Sequence, residues 1–377
     1  MNRRDFFRVA VGGIAAATFN TSSAGCEGPE YQNPDFMRWT WVHGGGGRTP
    51  SQWKDQYRLL SESGFHGVLV GGGETAVHAE AAQAAGIEFH RWVWTLNRNG
   101  DAWVKQNHPE WFTVSRDQNS SLTHSPYVEY YKWLCPTRPA VREYLKDTLL
   151  GVAEQPGIQG VHLDYVRHSD VILPRGLWAK YDLVQDREYP EFDFCYCNVC
   201  REAFASIHGI DPLDLPDPPS DQRWRRFRWD SVTGLVETLA EAVHGVPVPG
   251  RDTVSALRSG PGMPLTAAVF PTPMIAKRLV RQAWDEWPLD AFFPMLYHSF
   301  YEEDLEWIGR GVREGLAALS ASRRTPGADP LLPKNSRLFA GLYLPALSSE
   351  EVQKAEEIAR KAGADGVSFF EMASIKS

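Results

Sequence analysis

Short apolar segments with a two-residue alternation recur along this chain, and segments with helical periodicity separate them. Side chains alternate every two residues in a strand and repeat about every 3.6 residues in a helix, so the pattern predicts alternating strands and helices. Repeated β/α units of this kind form parallel sheets. Eight segments have strand character, the number that closes a (β/α)8 TIM barrel: residues 37–43, 67–71, 88–94, 160–166, 266–271, 291–298, 339–344 and 366–371.

Pairs of a small residue and a glycine mark the predicted ends of several helices, because glycine tolerates the left-handed conformation that ends a helix. They lie at 63–64, 85–86 and 362–363, each just before a predicted strand. This repetition favours one barrel over residues 36–377. Long connections in a barrel build its mouth, and here we expect residues 97–132 and the insertion 169–222 to do so.

The N-terminal residues predict export rather than fold. The adjacent Arg3 and Arg4, followed by Arg8, precede the short apolar segment 9–18, which is typical of a twin-arginine signal. We therefore expect residues 1–30 to direct export to the periplasm or the outer surface. Cys26 resembles a lipoprotein processing site, although Ser23 stands where leucine is usual, so a lipid anchor is an open alternative. No apolar segment is long enough to span a bilayer.

Composition narrows the classes of partner. The chain has 377 residues and a net charge of -8, which argues against nucleic acid, because no basic segment offsets the acidic excess. Fourteen tryptophans and thirteen tyrosines point instead to carbohydrate, since aromatic faces stack on the apolar faces of sugar rings. The oligomeric state does not follow from the sequence.

Four cysteines predict a structural metal site. Cys195, Cys197 and Cys200 form a C-x-C-x-x-C cluster, and Cys135 precedes them by one predicted strand. Four thiolates favour zinc in a closed tetrahedral site without a position for water, so the metal would be structural. Disulfides or free buried thiols are the alternatives, and a second disulfide would require Cys26.

A carboxylate at the end of the fourth predicted strand is the first catalytic candidate. Alternation places His162 and Asp164 on one face of this strand, and the carboxyl ends of barrel strands hold the active site. We expect Asp164 to be catalytic and His162 to orient it or to bind substrate. A pair with Arg167 would keep Asp164 ionised.

Glycoside hydrolysis uses two carboxyl groups, and Glu371 at the end of the last strand is the second candidate. The neighbouring apolar residues 367–370 would favour its protonated form. The alternative for Glu371 is a salt bridge at the rim. The reserve carboxylates are Glu74, Glu302, Glu303 and Asp304.

Polar and aromatic residues near strand ends are the candidates for substrate binding. They are His43, Arg91, Trp94, His162, Tyr165, Arg167, Tyr297 and His298. A catalytic metal held by histidines 43, 162 and 298 is an alternative for three of them, although no close His/Asp ligand motif supports it. No G-x-S-x-G motif is present, which disfavours a serine hydrolase.

The cysteine segment resembles the zinc-binding segment of the family 42 β-galactosidases. That resemblance implies a structural zinc on Cys135, Cys195, Cys197 and Cys200. Family 42 ends its fourth strand in Asn-Glu with the glutamate as acid/base, whereas this chain has Asp164-Tyr165 there.

The fourth strand itself resembles the glycosyl-hydrolase-like family 10 barrels, which have Asp-Tyr-x-Arg at this position. His108-Pro109-Glu110-Trp111 and the segment 293–297 fit the same family. Together these resemblances imply a glycosidase barrel and leave its substrate undefined.

The sequence therefore predicts an exported hydrolase that cleaves glycosidic bonds in a polysaccharide or oligosaccharide with a carboxylate pair. Two alternatives stay open. One is a sugar-binding barrel without catalysis, and the other is a polysaccharide lyase that uses tyrosine or histidine as a base against uronic acids.

Overall fold

A computed structural model describes residues 36–248, 257, 262–324 and 336–374. Eight parallel strands pair in chain order, and β1 pairs with β8 to close the barrel. The predicted (β/α)8 TIM barrel is confirmed. The strands are β1 Met37–His43, β2 Gly67–Gly71, β3 Glu88–Trp94, β4 Gly160–Asp164, β5 Leu265–Val269, β6 Ala291–Pro294, β7 Arg337–Tyr343 and β8 Gly366–Phe370.

Helices follow the strands and begin at residues suited to capping. Thr49 and Ser348 each form a capping box, which satisfies two backbone donors at the helix start. Gly86 has the left-handed conformation that the sequence predicts at the end of its helix. The helices are α1 Pro50–Glu62, α2 Thr75–Ala85, α3 Ala102–Asn107, α4 Pro139–Ala153, α5 Trp178–Tyr181, α6 Asn198–His208, α7 Gln222–His244, α8 Pro273–Val280, α9 Glu306–Arg324 and α10 Ser349–Lys361.

None of the helices in the described ranges has the length and apolarity that a membrane crossing requires. The predicted export signal and Cys26 lie outside those ranges.

Aromatic rings fill the inside of the barrel. Trp39 contacts Phe293 and Phe339 edge to face, with ring centroids 6.0 and 6.2 Å apart. The His90 ring also packs against Trp39, at 4.9 Å, and a Cβ at Gly160 would overlap that imidazole. Glycine at position 160 therefore leaves room for the His90 ring in the closely packed interior.

A buried ionic network joins the insertion between β4 and β5 to the barrel helices. Asp193 of the insertion is fully buried, forms an ion pair with Arg228 of α7 and lies 3.7 Å from Arg281. It also accepts a hydrogen bond from the Tyr196 hydroxyl at 2.7 Å. Burial alone would raise the pKa of Asp193, but the charges of Arg228 and Arg281 outweigh it and hold this pKa below its usual value. The insertion is therefore anchored by charge as well as by apolar packing.

Replacing Asp193 by asparagine should destabilise the protein strongly, because Arg228 would lose its ion-pair partner away from water and Arg281 would keep only Glu188. We expect the free energy of unfolding to fall by about 3–5 kcal/mol, measured by urea denaturation. Asp230→Asn is the control, since Asp230 pairs with Arg226 where both side chains are about half exposed, and such pairs contribute below about 1 kcal/mol. Equal effects of the two variants would contradict this account of the insertion.

Candidate active site

Asp164 is the last residue of β4, and the chain turns sharply after it. Tyr165 has a φ of 51°, so the backbone leaves the strand direction directly behind the carboxyl group. The Tyr165 backbone N–H donates to Asp164 Oδ1 at 2.7 Å, and the Trp92 indole Nε1–H donates to Oδ2 at 3.0 Å. Both carboxyl oxygens are therefore held in position, at the carboxyl end of the barrel where catalytic groups lie.

The surroundings of Asp164 favour its protonated form. Burial raises the pKa of this carboxyl group and outweighs the N–H of Tyr165, the charge of Arg167 and the N–H of Trp92. The ion pair with Arg167 that would keep Asp164 ionised does not form, because Arg167 bonds instead to Asp170 at 3.0 Å and to the His168 carbonyl at 2.9 Å. Arg167 itself is buried beneath the Trp133 and Phe270 rings, so it supports the loop after β4.

Glu371 follows β8 and pairs with His43 at the end of β1. The distance from His43 Nε2 to Glu371 Oε2 is 2.8 Å. The hydrogen bond to Glu371 raises the pKa of His43, so the pair favours an imidazolium beside a carboxylate. The glutamate side chain is 10% exposed and the histidine is 56% exposed. Glu371 thus has the salt-bridge partner that the sequence analysis left open as its alternative.

Trp92 connects the two carboxyl groups, and the sequence analysis did not single it out. Its indole donates to Asp164, and its ring lies 5.1 Å from the His43 ring that pairs with Glu371. A Cβ at Gly71 would lie 2.6 Å from Trp92 Cε3, so glycine there makes room for the indole. Strand alternation could have found Trp92, because it shares a face with Trp94.

Tyr297 lies near both halves of the site. Burial raises the pKa of its hydroxyl well above the usual value, and the charges of Asp164, Tyr343 and Glu371 add to this effect. Its ring lies 5.3 Å from Tyr343 and 6.2 Å from Phe370. The tyrosine is thus a neutral hydrogen-bonding group beside two acids.

Aromatic rings form two walls around these polar groups. On one side the Trp94 ring lies 4.7 Å from Tyr165 and 6.2 Å from Tyr130. On the other side Tyr297 and Tyr343 pack with Phe370. Tyr130 and Tyr343 were missed by the sequence analysis, since nothing in their local pattern separates a wall residue from a core residue.

Two predicted substrate-binding residues lie elsewhere. His162 is fully buried inside the barrel, where its Nδ1 lies 2.8 Å from Thr266 Oγ1 and its ring packs against Phe293. Burial, with the nearby His90, lowers its pKa well below the usual value. Arg91 lies on the face of β3 opposite to Trp92 and donates to the carbonyls of Gly72 and Gly73. The structure therefore gives His162 and Arg91 packing and loop-holding contacts outside the cleft.

The remaining candidates lie at the periphery of the rim. His298 lies close enough to Glu351 and Asp304 for their charges to act on it, although burial lowers its pKa overall. The reserve carboxylates Glu302 and Glu303 form exposed ion pairs with arginines. Asp304 pairs with Arg310 in the same way, and Glu74 is an exposed residue at the start of α2. None of these side chains has a contact to Asp164 among the described interactions.

The four predicted metal ligands come together. The ligand atoms of Cys135, Cys195, Cys197 and Cys200 all lie within 4.8 Å of one another, and all four residues are buried. Cys135 Sγ is 3.4 Å from Cys200 Sγ and 3.7 Å from Cys197 Sγ. No disulfide links these thiols, and sulfurs around a tetrahedral metal at about 2.3 Å lie roughly 3.8 Å apart. The cluster can bind a metal, and it joins the loop before α4 to the insertion.

The histidine alternative for a metal does not agree with the geometry. Among the described residues, the side chains placed closely enough to hold a metal ion are those of the cysteine cluster. His43 is paired with Glu371, and His162 is enclosed with Thr266 inside the barrel.

The chain matches no known protein-family profile and no curated protein sequence at a significant level. Its fold resembles solved glycoside hydrolases. The glycoside hydrolase domain of PgaB (BpsB) from Bordetella bronchiseptica is 12% identical with a TM-score of 0.56, and the alignment covers 89% of this chain and 94% of that one. The catalytic domain of a β-amylase from Paenibacillus polymyxa is 10% identical with a TM-score of 0.54, covering 90% and 93%.

An α-L-fucosidase, isoenzyme 2 from Paenibacillus thiaminolyticus, is similar over 90% of this chain and 47% of its own length, with 12% identity and a TM-score of 0.51. At these identities the likeness concerns the fold. Membership of glycosyl-hydrolase-like family 10, and the likeness to family 42, stay predictions.

Replacing Trp92 by phenylalanine should move the pH dependence of activity. The indole N–H lowers the pKa of Asp164, so its removal should raise that pKa. If Asp164 acts as the acid, activity is lost as pH rises through its pKa, and the basic limb of kcat/KM should move to higher pH. We also expect a fall in kcat of up to about 100-fold from lost positioning.

Trp229→Phe is the matched control, because it removes an indole hydrogen bond to the Lys277 carbonyl on the outer helices. A basic limb that stays in place or moves downward in Trp92→Phe would show that the indole does not set the protonation of Asp164.

Proposed function

We propose that this protein is a glycoside hydrolase in which Asp164 is the general acid and Glu371 is the charged carboxylate. The observation that carries the proposal is the contrast between the two acids. Burial favours a proton on Asp164, whereas Glu371 faces an imidazole whose pKa is raised. Glycosidic cleavage generally uses two carboxyl groups whose surroundings give them different roles.

In this mechanism Asp164 donates its proton to the glycosidic oxygen as the bond to the leaving sugar breaks. Glu371 faces the anomeric carbon from the other side, either as the nucleophile or as the base that activates water. His43 pairs with Glu371 at 2.8 Å and orients its carboxyl group. Tyr297, neutral at working pH, is positioned to donate a hydrogen bond to a sugar hydroxyl or to either carboxylate.

The lining supports a carbohydrate substrate. The walls formed by Trp94, Tyr165 and Tyr130 on one side and Tyr297 and Tyr343 on the other present aromatic faces beside hydrogen-bonding groups. The cation that acts on Asp164 is Arg167, which is already bound to Asp170. This favours sugars without a carboxylate at the reacting position and argues against the lyase alternative, in which a uronate charge must be neutralised.

A structural zinc and export complete the proposal. Four buried thiols whose sulfurs lie within 4.8 Å of one another support zinc as the resident metal. Cys135 lies two residues from Trp133, whose ring contacts Tyr165 at 5.5 Å. The metal would thereby support one wall of the cleft. The adjacent Arg3 and Arg4 and the apolar segment 9–18 support export by the twin-arginine pathway to the periplasm or outer surface.

Hydrolysis should depend on both acids. We expect Asp164→Asn and Glu371→Gln each to lower kcat/KM by about 10²–10⁴-fold, measured as new reducing ends from a panel of polysaccharides. Glu303→Gln is the control, since Glu303 forms an exposed surface ion pair, and it should keep full activity.

Three results would contradict this assignment of function. Activity that survives Asp164→Asn would exclude this residue as the acid. Products that absorb as unsaturated sugars would indicate elimination. Polysaccharide retention with no product by any assay would indicate a binding barrel.

The metal assignment makes a separate prediction. Purified protein should contain about one zinc per chain, because one four-thiolate cluster binds one ion. Cys197→Ser should lose most of it and should unfold at a lower temperature, as coordination links the insertion to the loop before α4. Metal content is measured by elemental analysis. Unchanged zinc stoichiometry in Cys197→Ser would exclude this site.

A further inference from the structure

We propose that an aromatic cluster on the outer flank of the barrel mouth is a second carbohydrate-binding surface. The cluster comprises Trp103, His108, Trp111 and Tyr144, and we call it the Trp103 cluster. Trp103 is 53% exposed, and it is the one tryptophan classed as exposed in the described part of the chain. An exposed apolar side chain that stands alone is ordinary, so the feature that indicates binding is the set of rings that hold this indole in place.

The rings hold one another in place. The His108 and Trp111 rings stack with centroids 3.9 Å apart and an interplanar angle of 11°. Trp103 lies 4.9 Å from His108 and stacks with Tyr144 at 6.0 Å and 23°. The indole of Trp103 therefore rests on a fixed aromatic base, so little conformational entropy is lost when a ligand stacks on it.

Polar groups surround this ring, as recognition of a sugar requires. Glu110 is 55% exposed, and the His108 side chain, 3.3 Å from it, is 30% exposed. Asn107 donates to the Trp103 carbonyl at 2.9 Å. An apolar face with hydrogen-bonding groups at its edge matches a pyranose ring, which has apolar C–H faces and equatorial hydroxyls.

A protein partner fits the surface less well. A stable protein interface buries about 800 Å² on each side. The other exposed large apolar side chains of the described residues belong to α1, the insertion and α8, and none of them lies in the connection that carries Trp103. A single ring with a polar border suits one sugar unit better.

Trp103, His108 and Trp111 belong to the connection that follows β3, and Tyr144 lies on α4. The connection after a barrel strand lies at the end of the barrel that holds Asp164. Trp111 is tied to this scaffold because the Cys135 backbone N–H donates to its carbonyl at 2.9 Å. A polysaccharide that enters the cleft can thus extend to the Trp103 cluster. The surface would hold long chains near the cleft and would have no part in binding short ones.

The test uses affinity electrophoresis of the full-length protein in the Asp164→Asn background, which prevents turnover. The gels contain β-glucan, arabinoxylan, galactomannan or starch as soluble neutral probes. We expect Trp103→Ala to weaken retardation about tenfold on the polysaccharide that retards the parent, and Trp103→Phe to keep most of it. Ile207→Ala, which removes another exposed apolar side chain, is the matched control and should change nothing.

In otherwise wild-type protein, Trp103→Ala should leave kcat/KM for short oligosaccharides unchanged. The proposal is overturned if no probe retards the parent, if Trp103→Ala migrates like the parent, or if it converts an oligomer to a monomer. Retardation that depends on Trp103 in a protein without hydrolytic activity would support this surface and refute the proposed hydrolysis. Hydrolysis without such retardation would support the proposed hydrolysis and refute this surface.

Discussion

The hydrogen bond from the Trp92 indole to Asp164 is the interaction on which the candidate site depends. It fixes the acid at the end of β4, and the same ring contacts the His43 that pairs with Glu371. The Trp92 side chain of β3 thereby links Asp164 at the end of β4 to His43 of β1, which pairs with Glu371 after β8. The barrel supplies this geometry because the carboxyl ends of all its strands meet on one rim.

The two acids differ through their surroundings. Asp164 is enclosed by rings and N–H donors, and burial is the largest effect on its pKa. Glu371 pairs with the imidazole of His43, whose side chain is 56% exposed. The proposed division of roles between the two carboxyl groups follows from this difference in surroundings. The insertion is joined to the loop before α4 through the cysteine cluster and to α7 through the ion pair of Asp193 with Arg228.

Sequence reasoning predicted the fold well because strand alternation and helix ends are local signals. Met37–His43, Gly67–Gly71 and Glu88–Trp94 begin and end where the pattern predicted them. The predicted fourth and sixth strands were too long, since Tyr165 turns out of the strand and the segment after Pro294 leaves the sheet. Apolar composition alone does not reveal where a chain turns.

The site could be predicted only in part. The four cysteines and the strand-end position of Asp164 followed from spacing. Arg91 was misjudged because its strand position was considered without its face, although alternation separates it from Trp92 and Trp94. The partner of Arg167 could not be read from the chain, because Asp170 and Asp164 are both three residues away from it and only the turn at Tyr165 decides between them.

The most direct test of the central claim is the titration of Asp164 itself. Protein labelled with ¹³C at aspartate carboxyl carbons can be followed by NMR across pH and compared with the Asp164→Asn variant. We predict that one resonance titrates above the usual aspartate range of about 3.9, is absent from the variant, and shifts further upward in Trp92→Phe. An Asp164 resonance that titrates at or below the usual value would contradict its role as the acid.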